Sequence, residues 1–574
     1  MPGDFQVSGT HDSALFSLKL HRSEGMLLLA MNWKNSPPPA DFVGFGIEYK
    51  EPAGDRFYAL NNRLTFPTVD GSVPTTALSS LLSPIQKFRW VHFPRNAELA
   101  GAFTYRVTPV FMNAQGQLSY GEAQAADIEL QRNTWPGQLN VTFTRGYVSS
   151  QAFVERYANT DRNLTTLLPR KADDGLDFVP TNPDAQAALE WMGFEARDAI
   201  LAVLDAAVAD TGAQVKVIAY ELNEPNIVNR LEKLGSRLQI IIDDSSDHGA
   251  ADSAQTLAAT RLTQAGATVK REHMASLQHN KVILLDGTTD KTVVCGSTNF
   301  SWRGLYVQAN NALIVQGQAA LAVFQAAFAQ YWTRSSAKDF GTQPPAQWHS
   351  LGLDNIDAQV TFSPHAQDNA ALAGIGSDIA TTASSLLFSL AFLYQTKGPI
   401  QAAIKEVAAN PKVFVYGISD RQMQQGLDVL LPGGESAILH AAALNKNIPA
   451  PFQAEPTGLT GGAGVRLHHK FVVIDFDKPT ARVYMGSYNF ADAADRSNGE
   501  NLLLIRDRRV AVAYMVEAVR LLDHYHFRVA QESVNAGTRS SLTLQRPPRQ
   551  AGDAAWWQED YSDPRKIQDR ELFA

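Results

Sequence analysis

Two short stretches hold the residue types that phosphoryl chemistry needs. The first is His279-Asn280-Lys281, with Asp286 closing the apolar run Val282 to Leu285, and the box Gly296-Ser297-Thr298-Asn299-Phe300 follows it. The second is His468-His469-Lys470, with Asp475 after Phe471 to Ile474, followed by Gly486-Ser487-Tyr488-Asn489-Phe490. Positions two apart on a strand face the same way, so each His and its Lys project together. Asp286 and Asp475 stand seven positions beyond their histidines, on the other face of a regular strand, which suits support or ion pairing. Each box offers a tight turn and short polar side chains, Ser297 with Asn299 and Ser487 with Asn489, able to hydrogen-bond an anionic oxygen. Brought together, two imidazoles, two ammonium groups and two amides make a phosphate site with its own nucleophile and its own acid. The lysines would stabilise a five-coordinate phosphorus. One His would attack it, while the other protonates the leaving oxygen and then activates water. With positive charge supplied by lysines, this chemistry calls for no metal and no cofactor.

The spacing around the motifs repeats. Ten residues lead from Asp286 to Gly296 and eleven from Asp475 to Gly486, while twelve lead from Asn299 to Asn311 and twelve from Asn489 to Asn501. A lone His-x-Lys on a strand is ordinary surface decoration. Two copies with matching downstream boxes point instead to one active site divided over an internal duplication.

The His-x-Lys-x4-Asp pattern, present twice and each time followed by Gly-Ser-x-Asn, resembles the phospholipase D superfamily of phosphodiesterases, over about residues 139–530. The resemblance implies a metal-independent, two-step reaction through a phosphohistidine, on a bilobal α/β/α fold with both motifs at the lobe interface. It makes His279 the nucleophile and His468 the general acid/base, with Lys281, Lys470, Asn299 and Asn489 on the phosphate. It also implies a carboxylate eleven positions after the box Asn, orienting the His. Glu500 fills that slot in the second half and the amide Asn310 fills it in the first. A carboxylate raises imidazole basicity more than an amide does. Glu500 then backs His468 and Asn310 backs His279, and on that physics His468 could be the nucleophile, so the assignment of roles stays open.

The elements that must position these residues read as α/β: two pseudo-repeated phospholipase-D-like lobes preceded by an all-β sandwich. Residues 1–133 carry short alternating runs separated by turn signals such as Ser36-Pro37-Pro38-Pro39 and Asn113 to Gly116, as a sandwich requires. Trp33 and Tyr105 resemble the core Trp and corner Tyr of fibronectin-type-III-like domains. The first lobe, 134–345, opens on the strand Leu139 to Thr144. A helix over Asp184 to Ala209 follows, then the buried strands Val215 to Tyr220 and Leu238 to Ile242, the first motif, and a helix over Gln318 to Trp332. The second lobe, 346–535, repeats the order: a strand from Gln359, a helix over Ile375 to Leu393, a strand over Lys412 to Tyr416, the motif, and a helix over Val510 to His526. From Val141 to His279 is 138 residues, and from Val360 to His468 is 108. The polar stretch Asn159 to Asn182 accounts for the difference as a loop over the site. Residues 536–574 read as an irregular tail that docks through Trp556-Trp557.

Composition bounds the function. A 574-residue chain exceeds one core, and a net charge of -8 argues against coating nucleic acid by bulk charge. Cys295 is the only cysteine, an inert core residue in an apolar run. The N-terminus does not read as a signal peptide, and no stretch is apolar enough to span a bilayer. The expectation is a cytoplasmic protein, or one exported without an N-terminal signal. Its substrate is a phosphodiester, with phospholipid headgroups favoured over nucleic acid and peripheral membrane contact possible. The partner of the N-terminal domain is unknown, and one chain holds both half-sites, so a monomer suffices. Phe300 with Trp302, and Phe388 with Phe392 and Tyr394, are candidate apolar contacts for lipid. The alternative is a nuclease whose groove gathers Lys270, Arg271, Arg303, Arg466, Arg496, Arg506, Arg508 and Arg509. A third reading is a binding protein with vestigial motifs. His273, His365, His524 and His526 read as ordinary partly exposed residues, His469 as structural, and Asp243-Asp244 as a solvated loop.

Overall fold

The computed structural model describes residues 4–35, 37–67, 78–130, 133–146, 166–169, 171, 173–333, 336–393, 398–419, 438–440, 467–535, 543–550 and 552–574, the side chains of 438–440 and 525–535 excepted. Arg466, Tyr394, Ser36, the side chain of His526 and residues 159–165, 170 and 172 of the expected loop lie outside that set. The chain forms two compact units, one comprising 1–134 with 430–436 and 512–574, the other 135–429 with 437–511.

The first unit holds two larger antiparallel sheets, besides the short pair Asn61–Asn62 with Leu78–Ser79. Gln6–Ser8, Phe16–Ser23, Met26–Trp33 and Arg89–His92 lie side by side in one. The other runs Leu118–Tyr120, Ala102–Met112, Phe42–Lys50, Tyr58–Ala59, with Gln124–Glu129 also paired to Ala102–Met112. Alternation does the sorting: Phe103, Tyr105 and Val107 are buried while Thr104, Arg106 and Thr108 are half-buried. Trp33 and Tyr105 both enter the core. Residues 543–574 belong to the same unit. Trp556 stacks on Phe88 with ring centroids 5.2 Å apart, and its indole Nε1 donates to the Phe42 carbonyl at 3.0 Å. The stretch expected to be irregular contains a helix, Pro564–Phe573, which starts where the Asp563 carboxylate accepts from the Arg565 and Lys566 amides.

The second unit holds two large sheets with the same strand succession. The first runs Leu139–Phe143, Asn311–Gln316, Lys291–Gly296, Lys281–Asp286, Gln214–Ala219, Leu238–Ile242, Thr268–Arg271. The second runs Asp357–Ser363, Glu500–Arg506, Arg482–Gly486, Lys470–Ile474, Ser385–Leu390, Phe414–Ser419, Ile438–His440, with the short His349–Ser350 added at the Asp357–Ser363 edge. In both, the first five strands are antiparallel and the last two continue in parallel. Each motif strand is central, flanked on both sides, which explains its unbroken apolar run. The helix Ala185–Ala209, with a non-helical Phe194, packs its buried face into the first sheet's core.

One helix differs from expectation. Ile375 to Leu393 divides into a helix, Ala371–Ala380, and a strand, Ser385–Leu390, buried at all six positions. The polar turn Thr381 to Ser384 separates them. The amides of Ala383 and Ser384 in this turn, and of Ser385 after it, donate to the Asp475 carboxylate at 3.0, 2.7 and 3.2 Å. An Ala- and Ser-rich approach to a Leu-Leu-Phe run has no clear period in sequence, and the pairing with Lys470–Ile474 decides it.

Candidate active site

The histidines sit just ahead of the motif strands, where each segment crosses to the opposite sheet. Gln278 bridges Gly499 and Ala309 bridges Leu467, both in parallel sense. The His279 amide donates to the Gly499 carbonyl at 2.9 Å, and the His468 amide to the Ala309 carbonyl at 3.1 Å. The residue between His and Lys reinforces the crossing. Asn280 Oδ1 accepts from Asn501 Nδ2 at 2.8 Å, and His469 Nδ1 lies 3.3 Å from Asn311 Nδ2. His469 is thus turned away from His468.

These crossings bring the two catalytic candidates face to face. The His279 and His468 ring centroids are 6.2 Å apart at 73°, with the residues only 4% and 5% exposed. Their partners are exchanged relative to the reading in which each slot serves its own half. Glu500, from the second half, places Oε1 3.2 Å from Nδ1 of His279. Asn310, from the first half, places Oδ1 2.9 Å from Nδ1 of His468, beside the Ser297 carbonyl at 3.2 Å. The reason is the Gln278–Gly499 bridge, which lays the start of Glu500–Arg506 along the approach to His279. Glu500 is fully buried and also accepts from the Asn489 amide at 3.0 Å and from Asn498 Nδ2 at 2.8 Å. Since Asn310 Nδ2 donates to the Gly304 carbonyl, its oxygen faces His468. With only acceptors around it, His468 Nδ1 carries the proton and Nε2 is left for the reacting atoms.

Lys281 and Lys470 complete the cluster. Each Nζ donates back to the carbonyl of its own motif His and lies over an aromatic ring, Tyr220 at 4.6 Å and Phe392 at 5.7 Å. Burial pushes Lys281 down to about 7, against the pull of Glu500, and drives Lys470 well below its usual value, with Lys281 adding repulsion. Burial likewise raises Glu500 to about 7. Both imidazoles are held well below their usual value, first by burial and then by the lysines. Burial and mutual repulsion thus press the imidazoles and lysines toward their neutral forms, and an anion bound among them would favour their charged forms.

The boxes close the site. Gly296 and Gly486 adopt φ of +136° and +145°, and a Cβ would meet the Asn311 and Asn501 carbonyl oxygens at 2.6 and 2.3 Å. Only glycine fits there. Ser297 Oγ donates to Asn310 Oδ1 at 2.9 Å and accepts from the Asn311 amide, as Ser487 Oγ accepts from the Asn501 amide. Asn299 Oδ1 and Asn489 Oδ1 are buried without a hydrogen-bond partner among the described residues, so these two amides are left with capacity to spare.

Asp286 and Asp475, expected with the catalytic set, stay outside the cluster. Asp286 pairs with Lys291 at 2.5 Å and accepts from Gln325, while Asp475 anchors the turn before Ser385–Leu390. Both lie at the far end of their strands and brace the sheet. Phe300, Trp302 and Phe388 are core residues at 1%, 5% and 0% exposure, not an apolar entrance. His365 is buried and bonded at both nitrogens, to Asp495 at 2.7 Å and Thr361 at 2.8 Å, unlike the partly exposed residue expected. Of the basic side chains expected to gather in a groove, Arg496 bonds to Gln367, Arg506 pairs with Asp357 and Arg509 lies over Trp135, whereas Arg303 bears electrostatically on His468.

Three features of the site carry no motif. Tyr220 stands edge-on to His279, centroids 4.8 Å apart. Glu221 accepts from Ser301 Oγ at 2.6 Å and acts electrostatically on both lysines. Asp243 is fully buried rather than solvated, and it accepts from the Gln278 amide at 2.7 Å, immediately before His279. All three follow the ends of the strands Gln214–Ala219 and Leu238–Ile242, which is the one signal by which they could have been found. Among the described residues no group of three or more His, Cys, Asp or Glu is arranged to hold a metal ion.

The chain is similar to known proteins over both motif-bearing segments. Residues 200–332 and 377–522 match the family model described as cardiolipin synthase, PLD-like domain, one segment for each motif and together just under half of the chain. The matches support the phospholipase D superfamily. A phospholipase D of Rickettsia felis is 44% identical over 48 residues, 8% of this chain and 22% of that protein; the chain therefore spans about a fifth of that relative's length. Among solved structures, the phospholipase D family member Nuc of Salmonella typhimurium is 24% identical, covering 24% of this chain and 88% of its own, with a TM-score of 0.21. The phosphatidylserine synthase of Haemophilus influenzae Rd KW20 is 13% identical, covering 66% and 93%, with a TM-score of 0.37.

Proposed function

We propose, taking the two PLD-like segments as premise, that this chain is a phosphodiesterase of the phospholipase D type working through a phosphohistidine. The observation that carries the proposal is the facing pair of His–Lys units, with ring centroids 6.2 Å apart and the two Nδ1 atoms set against Glu500 and Asn310. His279 is the nucleophile, because its Nδ1 faces a carboxylate and Nε2 is left to attack. The N–P bond forms as the P–O bond to the leaving group breaks, and that oxygen takes its proton from His468. Water, deprotonated by His468, then attacks phosphorus and breaks the N–P bond. Lys281, Lys470 and the side-chain amides of Asn299 and Asn489 hold the phosphoryl oxygens, and their charge does the work that a cation would do elsewhere. The bound phosphodiester's own charge offsets the lysines and makes protonation of His468 affordable.

The substrate class we favour is a phospholipid, with headgroup release or exchange. The descriptions of the matched family model and of the Rickettsia relative support that reading, as does the acidic net charge of the chain. No helix among the described residues is long and apolar enough to cross a membrane. The strand order of the first unit supports its reading as a fibronectin-III-like sandwich, a module for binding a partner. Headgroup release from phosphatidylcholine and phosphatidylglycerol vesicles, measured beside cleavage of single- and double-stranded DNA and RNA, is the test. Cleavage confined to nucleic acid would overturn the lipid assignment, and undiminished turnover by both His279→Ala and His468→Ala would overturn the mechanism.

A further inference from the structure

A third histidine stands on the nucleophile's side of the site. The His248 ring centroid is 4.7 Å from that of Tyr220, whose other neighbour, at 4.8 Å, is His279. His248, Tyr220 and His279 thus form a short row of rings, with Lys281 Nζ over the middle one. His248 is close enough to bear electrostatically on His279.

Its orientation is built, not incidental. Nδ1 lies 2.8 Å from Oδ2 of Asp243, and the same carboxylate accepts from the Ser245 amide at 3.1 Å, Ser245 Oγ at 2.6 Å and the Gln278 amide at 2.7 Å. A fully buried carboxylate with that many donors stays an acceptor, so Nδ1 must carry the proton. The backbone is fixed as well, since the His248 carbonyl accepts from Arg271 Nη2 at 2.6 Å and from Ser253 Oγ at 2.7 Å. The side chain keeps 18% of its surface open, and Nε2 has no hydrogen-bond partner among the described residues. In the neutral imidazole Nε2 is a lone pair, able to accept a hydrogen bond but not to donate one. An acceptor fixed beside a phosphate site is suited to a hydroxyl, since a second anionic oxygen would be repelled by it.

We propose that His248 is a specificity-determining residue that accepts a hydrogen bond from a hydroxyl of the substrate lying next to the scissile phosphodiester. This rests on the phosphodiesterase reading and deepens it to a substrate class: phosphodiesters flanked by a free hydroxyl. Such a hydroxyl comes from a polyol headgroup or from a ribose.

Calorimetric affinity, measured on the full chain in a His279→Ala background, tests this without requiring turnover. The probes are glycerophosphoglycerol against its analogue with a propyl group for the free glycerol, and UpU against dTpdT. The expected result is tighter binding of the hydroxylated member of one pair by about five- to tenfold, the scale of one neutral hydrogen bond. That preference should vanish in His248→Phe and return in His248→Gln, whose amide oxygen restores an acceptor. Which pair shows it identifies the source of the hydroxyl. No preference in either pair, or a preference that survives His248→Phe, would overturn the proposal. Failure of the phosphodiesterase reading would show separately, as absence of turnover by the wild-type chain.

Discussion

Glu500 decides the inequality of the two histidines at the scale of single residues. Converting it to glutamine keeps an acceptor near His279 but removes the charge that, in the proposed mechanism, would favour a positively charged phosphohistidine. Glu500→Gln is expected to lower kcat by about a hundredfold or more. Asn310→Ala, which leaves His468 the Ser297 carbonyl, should cost about tenfold; steady-state kinetics on one phosphodiester compares them directly. The pH dependence follows from the same groups. The proposed mechanism needs Glu500 ionised and Lys281 protonated in the free enzyme, and burial holds each at about 7. kcat/KM should therefore form a narrow bell near pH 7, failing below as Glu500 takes up a proton and above as Lys281 loses one, with limbs that belong to the coupled pair. Glu500→Gln should flatten the acid limb. An unchanged acid limb in that variant would remove Glu500 from the mechanism. His279, Lys281, His468, Lys470 and the box asparagines are legible in the sequence because residue type and strand period suffice to group them. The partner of each His is not, since spacing along one chain does not say whether a slot eleven residues on faces its own half or the other.

Among the elements, the two boxes place the greatest demand on backbone shape. Gly486 has φ of +145° and the Asn501 carbonyl oxygen 2.3 Å from where a Cβ would stand. Gly486→Ala is expected to destabilise the second unit by about 3 kcal/mol, read as a shift in the denaturation midpoint, and to displace Asn489 and Glu500 together. Here the sequence was informative, as the same tight turn in both halves needs a residue free of Cβ. It was less so at Ile375 to Leu393, where a buried strand in the middle of a sheet lacks the alternation that would separate it from a helix. His248 and Asp243 were hidden for a third reason. Their importance comes from the end of a neighbouring strand and a 3₁₀ turn arriving beside His279, a relation of tertiary structure alone.

At the scale of the whole molecule, each unit carries its own vulnerabilities. In the first, Trp556 ties residues near the C-terminus onto Phe88 and Phe42 of the sandwich. Trp556→Ala should cost that unit about 3 kcal/mol, visible as an early transition in thermal unfolding. The same unit is sensitive to acid. Burial holds the His92 imidazole, bonded to Tyr105, down to about 3, whereas an unfolded histidine titrates near 6.5. Below pH 6.5 the unfolded chain binds a proton that the folded unit refuses, so stability present above that pH is lost as pH falls toward 3. Between pH 7 and 4 the wild type should lose more stability than His92→Asn; equal losses would refute the assignment.

The exchange of partners across the second unit also bears on how this chain can change over time. Glu500 lies 221 positions from His279 in the numbering yet belongs to the same functional unit, and Asn310 belongs with His468. A drift in the second motif's neighbourhood is therefore felt by the first motif's chemistry. Across diverging descendants of this chain, substitutions at 500 should covary with the surroundings of 279, and those at 310 with the surroundings of 468. The two halves, alike in strand succession, are thus expected to change as one interlocked trait rather than independently.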